Sequence, residues 1–185
     1  MSLRIIAGRH RGRRLTAPPG RITRPTGARA REALFAILEH GDPPLRGSRC
    51  LDLFAGSGAL ALEAVSRGAS EALCVERSRA AVAAIRANIA RLGEGGRISV
   101  LEADASRLGP ARNAYDLVLL DPPYGSGLAV PALLAALRQG WIAPGARLVV
   151  ELAAAEALAL PELLSVEDER RYGAARFVFL RGAGA

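Results

Sequence analysis

The stretch Cys50-Leu51-Asp52-Leu53-Phe54-Ala55-Gly56-Ser57-Gly58-Ala59-Leu60 decides the fold. Its first residues are mostly apolar, as in a strand buried on both faces. Two glycines one residue apart then turn the chain, and Ala59-Leu60 opens a helical pattern. A buried strand that feeds a helix through a glycine turn is the first half of a βαβ unit, because parallel strands need a helical crossover.

Working outward toward the C-terminus, the alternation continues. The patterns predict a strand over 50–54, a helix over about 60–67, a strand over 72–76, a helix over about 79–92, and strands over 98–102 and 115–121. The helix over 79–92 has its own punctuation: Ser78 caps the start, Val82, Ile85, Ile89 and Leu92 share a face, and Gly93 supplies a left-handed stop. Its Arg79, Arg86 and Arg91 face away from that apolar side. A helix over about 128–137 leads through a turn at Pro144-Gly145 to a strand over 147–151. Two strand-like runs, 163–166 and 176–180, close the chain, with a hairpin link over 167–173 that carries Arg170-Arg171 as a solvated turn. The expected architecture is α/β, a doubly wound and mostly parallel sheet with a C-terminal antiparallel hairpin.

Upstream of the deciding stretch, residues 3–8 and 12–15 read as two short strands around the basic turn Arg9-His10-Arg11. A Pro- and Gly-rich loop spans 17–27. A helix follows, with Ala30, Ala33, Leu34, Ile37 and Leu38 at helical spacing until Gly41 and Pro43. The chain therefore divides into a basic N-terminal extension, 1–44, made of β-ribbon, loop and helix, and a main domain, 45–185.

Charge sharpens that division. All 25 basic residues are arginine, and the formal net charge is +7. Residues 1–31 hold nine arginines and no acid, whereas the remaining 154 residues hold sixteen arginines against eighteen acids. A nucleotide bias accounts for the missing lysine but not for the clustering, which is the footprint of a polyanionic partner, nucleic acid before an anionic membrane surface. The candidate contacts are Arg4, Arg9, His10, Arg11, Arg13, Arg14 and Arg24. Arg24, Thr26 and Arg29 could line the cofactor entrance or clamp RNA, and loop structure alone explains them equally well. A secretory signal is excluded, since the longest early apolar run is Ile5-Ile6-Ala7, and Pro18, Pro19 and Pro25 disfavour a helical transit peptide. Cys50 and Cys74 have no metal spacing and read as buried, reduced thiols in a cytoplasmic protein. No metal, no membrane contact and a monomeric state are expected.

Three features carry the chemistry. In an open α/β sheet the ligand lies beyond the carboxyl ends of the strands, where Gly56 and Gly58 let backbone approach it. Glu76 closes the next strand, placed to accept from ribose hydroxyls. Asp104 follows the third, placed to accept from an adenine amine. With Asp52, Phe54, Ala55, Ser57 and Ala105 these form an adenosine-type cofactor site. The dinucleotide fingerprint lacks its third glycine, and acidic Asp52 suits a cationic ligand such as S-adenosylmethionine better than a pyrophosphate. The third feature is Asp121-Pro122-Pro123-Tyr124 after the apolar run Leu117-Val118-Leu119-Leu120. The Asp121 carboxylate and the Pro122 carbonyl can hold both hydrogens of a nucleobase amine and offset the positive charge that develops on its nitrogen. The proline rings stiffen the turn, Pro123 included, and Tyr124 offers a face for a flipped base. Trp141 reads as packing and His40 as a helix end.

On these residues the chain resembles the bacterial 16S ribosomal RNA guanine-966 N2-methyltransferases over nearly its whole length. The resemblance lies in Arg4-Ile5-Ile6-Ala7-Gly8 with Arg11-Gly12-Arg13, in Arg24-Pro25-Thr26 with Arg31-Glu32-Ala33-Leu34-Phe35, in the loop extended to Glu63-Ala64 and Ser66-Arg67-Gly68-Ala69, and in Asp121-Pro122-Pro123-Tyr124. It implies a Rossmann-like class I S-adenosylmethionine-dependent methyltransferase fold. The implied acceptor is the exocyclic N2 amine of a specific guanine in 16S RNA, within the small subunit or its assembly intermediate. The last motif alone is shared with DNA adenine-N6 methyltransferases, which are the alternative enzyme reading. A noncatalytic RNA-binding assembly factor is the alternative from another class, but it has no need of an amine-holding motif. A nicotinamide-dependent oxidoreductase leaves that motif unexplained.

Overall fold

The computed structural model describes residues 3–19 and 27–182. Helix α1 (Ala28–Glu39) precedes β1 (Arg49–Leu53), α2 (Ala59–Ser66), β2 (Glu71–Glu76), α3 (Arg79–Leu92), β3 (Ile98–Glu102), β4 (Tyr115–Leu120), α4 (Ala129–Arg138), β5 (Ile142–Ala153), β6 (Leu164–Tyr172) and β7 (Ala175–Gly182). The strands form one sheet in the order β3-β2-β1-β4-β5-β7-β6. The five strands β1–β5 run parallel, while β7 pairs antiparallel with both β5 and β6.

This order contains a reversal. The chain winds outward through β1, β2 and β3, then returns to lay β4 on the other side of β1. The loops that leave β1 and β4 therefore diverge to opposite faces of the sheet, and a crevice opens between them at the carboxyl edge. Each face has its own core. On one side α1, α2 and α3 bury Leu34, Phe35, Leu62 and Ile85 against Cys50, Cys74, Phe177 and Phe179. On the other, α4 buries Ala132, Leu133 and Ala136 against Val118, Leu148 and Val178, with Trp141 packed beside Tyr115.

The helix α3 has the bounds its sequence pattern implies, with Ser78 capping the Ala81 amide and Gly93 at φ +71° ending it. Besides the N-terminal ribbon, whose two expected strands reduce to one bridge beside a 3-10 turn at Gly8–His10, three elements differ from their sequence reading. In α1 the buried residues include Arg31 and Phe35, because the Arg31 guanidinium donates to the Arg4 carbonyl (2.6 Å) and Phe35 lies under Arg67. In β5 the Pro144-Gly145 turn sits inside the strand: the pairing steps from Tyr115↔Ile142 to Leu117↔Arg147, so the intervening residues loop out as a bulge. The C-terminal hairpin turns only at Gly173, with φ +62°, so Arg170 and Arg171 lie on β6 and not in a turn. There they are exposed on an edge strand, where charge discourages pairing with another chain.

The N-terminal ribbon forms one antiparallel bridge, Arg4↔Arg14, flanked by bonds from the Ile5 amide to the Arg13 carbonyl (3.0 Å) and from Leu15 to Leu3 (2.9 Å). It is fastened across α2 and α3. The buried Glu63 carboxylate accepts from the Ile6 and Ala7 amides (2.8 and 2.9 Å) and from Arg67 Nε (2.8 Å). Asn88, fully buried, accepts from the Thr16 amide and donates to the Thr16 and Ser57 carbonyls. Gly8 passes so close to α2 that a Cβ there would sit 1.9 Å from the Ser66 carbonyl oxygen. Ile5 and Leu15 join the same core as α1, α2 and α3.

Candidate functional site

The site begins with what the β1 end does to the backbone. Phe54 adopts φ +66°, a left-handed conformation uncommon for a residue with a Cβ. Gly56 (φ +58°) and Gly58 (φ +75°) follow, and Gly58 caps α2. A side chain at Gly58 would also press on Ile85, with a Cβ 3.2 Å from its Cγ2. The loop needs glycine there for both reasons.

Two buried carboxylates shape this loop. Asp52 is 1% exposed; its Oδ2 accepts from the Ala61 amide (3.0 Å) at the start of α2, and its Oδ1 has no hydrogen-bond partner. Burial, and then the nearby Glu76 charge, push its pKa up to about 7 against the holding effect of the Ala61 bond. Glu76 accepts from the Gly56 amide (2.9 Å) with one oxygen and from the Ser78 amide (2.8 Å) with the other. It thus ties the glycine loop to the start of α3. Asp104 caps a short 3-10 turn, Ala105–Arg107, by accepting from the Ser106 amide and hydroxyl (2.9 and 2.7 Å). Those bonds, and then the Arg77 and Arg107 charges, hold its pKa below the usual carboxylate value, so it is an acceptor throughout the neutral range.

Of these groups Phe54 and Glu76 line one cleft at the carboxyl edge of the sheet, while Asp52, Gly56, Gly58 and Asp104 are not among its lining residues. Phe54, Val75, Glu76, Arg77, Ala103, Ala105, Pro123 and Leu128 line it and enclose about 320 Å³, the solvent at its mouth included. Phe54, Glu76, Ala105 and Pro123 were expected from sequence; Val75, Arg77, Ala103 and Leu128 were not. The cleft joins the two loops of the crevice, because the Asp121 amide donates to the Leu53 carbonyl (3.3 Å) and brings the Asp-Pro-Pro-Tyr turn beside Phe54.

That turn has supports the sequence reading missed. The Tyr124 hydroxyl donates to Glu151 Oε1 (2.8 Å), and the Gly125 amide donates to Glu156 Oε2 (3.1 Å). Glu151 is 3% exposed near the end of β5, whereas the Tyr124 side chain is exposed at the rim. A signal existed: Glu151, like Glu76 and Asp121, is a carboxylate that closes an apolar run at a strand's carboxyl end.

The basic N-terminal candidates lie elsewhere. Arg9 and His10 both bind the buried Glu94 carboxylate, Arg9 Nε at 2.8 Å, and the His10 amide donates to Ser66 Oγ (3.1 Å). Ser66 ends α2 and Glu94 precedes β3, so the ribbon tip sits at the edge where the strands begin, about 16 Å of strand from the cleft. Arg4 donates to the Gly12 carbonyl and Arg13 to the Arg91 carbonyl; Arg11 and Arg14 are exposed. Arg24 and Thr26 lie outside the described residues. Among the described residues there is no group of metal-ligating side chains and no helix long and apolar enough to cross a membrane.

The chain is similar to proteins of known family. The family model "Conserved hypothetical protein 95" matches residues 3–181. The ribosomal RNA small subunit methyltransferase D of Escherichia coli (strain K12) is 39% identical over 149 residues, covering 80% of this chain and 74% of that protein. Its namesake in Haemophilus influenzae is 33% identical over 175 residues, covering 92% and 89%. The solved structure of yhhF from Escherichia coli superposes with a TM-score of 0.83 at 33% identity and covers both chains completely.

Proposed function

The chain belongs to the Conserved hypothetical protein 95 family, in a class I methyltransferase fold, and on that premise we propose that it methylates the exocyclic N2 amine of a specific guanine in 16S ribosomal RNA of the small subunit, with S-adenosylmethionine as donor, in the cytoplasm. The observation that supports the reading is the Asp121 amide bond to Leu53, which brings the Asp121–Tyr124 turn to the end of β1 beside the cleft. The residues suit a cationic adenosine ligand. Asp52 has a buried, unpartnered carboxylate oxygen under the loop, Glu76 and Asp104 are acceptors at successive strand ends, and Gly56 and Gly58 remove side chains from the approach. When bound, the donor supplies an electrophilic methyl group on a sulfonium.

The chain's own residues do the rest. A guanine amine is a weak nucleophile because its lone pair is delocalised into the ring. The Asp121 carboxylate and the Pro122 carbonyl accept its two hydrogens, orient the nitrogen, and stabilise the positive charge that builds on it. Asp121 or water then takes the proton. Tyr124, held through its hydroxyl by Glu151, presents an aromatic face to the extruded base. Exposed arginines of the N-terminal ribbon contact the surrounding phosphates, and Arg24 belongs to the same proposal.

The test separates binding from chemistry. Asp121→Ala is expected to lower methyl transfer to small subunits by about 10²–10³-fold, the scale of a removed transition-state acceptor or donor, while S-adenosylmethionine affinity stays within a few-fold. Equal loss of both would remove Asp121 from the role given to it.

A further inference from the structure

The sequence sets Arg79, Arg86 and Arg91 on α3 away from the core without assigning them a role. Among the fourteen residues of α3 there are three arginines and no acid. The helix starts at the cleft mouth, where the Ser78 amide binds Glu76, and it ends at the ribbon, about 21 Å away at 1.5 Å per residue. Arg79 and Arg86 are seven residues apart, so they stand one above the other on its solvent side, and both are exposed. Arg91, five residues on, stands about 140° round the helix from Arg86 and joins α3 to the ribbon: its Nη1 donates to the Arg14 carbonyl (3.1 Å), and the Arg13 guanidinium reaches back to the Arg91 carbonyl (3.5 Å). Arg11 and Arg14 continue the series across the ribbon.

We infer that the outer face of α3 and the ribbon form one continuous phosphate-binding track that carries the RNA backbone from the cleft mouth to the far edge of the sheet. This inference rests on the RNA-methyltransferase reading above. Charge complementarity supports it: among the described residues no carboxylate pairs with Arg11, Arg13, Arg14, Arg86 or Arg91. Arg79 does pair with Glu102 (3.2 Å), but that pair is exposed, the Arg79 side chain by 92%, and a pair of this kind is weak enough to yield to a phosphate. The track also explains how a ribbon whose tip lies at the opposite edge from the cleft can serve the same substrate. A lipid surface is a poor occupant, because the residues between the arginines are Ala80, Ala83, Ala87 and Ala90, all exposed, with no large apolar group to insert.

The experiment is equilibrium binding to small ribosomal subunits lacking the modification, across a salt series, for the wild type and two double variants. Arg79→Gln/Arg86→Gln is expected to reduce the log–log salt slope by about 1.4, at ~0.7 per single-strand phosphate contact, and to weaken binding roughly tenfold at physiological salt. Arg11→Gln/Arg14→Gln is expected to do the same, and combining the two should add their effects on the slope. Melting temperature and S-adenosylmethionine affinity serve as controls and should stay at wild-type values. A wild type that binds and methylates, beside an α3 variant with the wild-type slope, would overturn the track alone. A wild type that neither binds nor methylates small subunits would overturn the function with it.

Discussion

The two edges of the sheet use the same device for different ends. At the edge where the strands finish, the buried carboxylates of Asp52 and Glu76 accept backbone amides and hold an open loop in a left-handed path. Toward the edge where the strands begin, the buried carboxylates of Glu63 and Glu94 accept from the ribbon and close it onto α2 and α3. A buried acid is therefore not a site in itself. What separates the two edges is the topological reversal, which opens a cleft beside Glu76 and leaves Glu63 sealed under the ribbon.

Substitutions at each edge test that division. The largest effect on stability belongs to Glu63→Ala, which leaves the Ile6 and Ala7 amides and the Arg31 and Arg67 guanidiniums without their shared acceptor. Breaking such a buried pair costs about 3–5 kcal/mol, to be read as a lowered midpoint in urea unfolding. Asp121→Ala should leave that midpoint nearly unchanged while abolishing most turnover. If both variants unfolded alike, the two edges would not be doing different work.

Asp52→Asn sharpens the comparison through pH. The carboxyl of Asp52 is raised from the ordinary carboxylate value to about 7. Its contribution to stability is therefore complete below about pH 4 and is lost as pH rises through 7, the reverse of an acid stabilised by an ion pair. In the donor-free wild type, stability should decline over that window and the Asn variant should decline less. A cationic donor favours the ionised carboxylate, so wild-type affinity for S-adenosylmethionine should rise through pH 7, whereas the Asn variant should be flat in calorimetric titrations. A wild type with no such pH dependence would contradict the role of Asp52.

The smallest effect is expected at Tyr124. Tyr124→Phe removes the hydroxyl bond to Glu151 but keeps the ring, and turnover should fall by about tenfold, the scale of one part-buried hydrogen bond. Tyr124→Ala should fall further, by the ~1–3 kcal/mol of a lost stacking face. Identical defects would make the hydroxyl, and not the ring, the working part.

Much of the cleft is legible in the sequence because its signals are local. The glycine loop, the capped helix α3 and the strand-ending carboxylates Glu76 and Asp121 each fall within a few residues of the pattern that announces them. The fastening of the ribbon is not legible, since Glu63, Asn88 and Glu94 meet partners 56 to 85 residues away, a pairing no periodicity records. The same holds for Arg31, a charged residue buried in α1 by contacts made outside its own helix. β6 escaped in part for another reason: an edge strand crowded with Glu167, Asp168, Glu169, Arg170 and Arg171 has no apolar alternation to betray it. Glu151 escapes because its place at a strand end records nothing of its bond to Tyr124, 27 residues away.

The central claim is that the carboxyl edge of this sheet methylates a guanine amine in small-subunit RNA. It is tested most directly by incubating the protein and labelled S-adenosylmethionine with small subunits from cells that lack it, then digesting the RNA and identifying the labelled nucleoside. The account predicts N2-methylguanosine at a single position of 16S RNA, absent when Asp121→Ala replaces the wild type. Label in an adenosine, or no label in RNA from subunits that the protein binds, would contradict it.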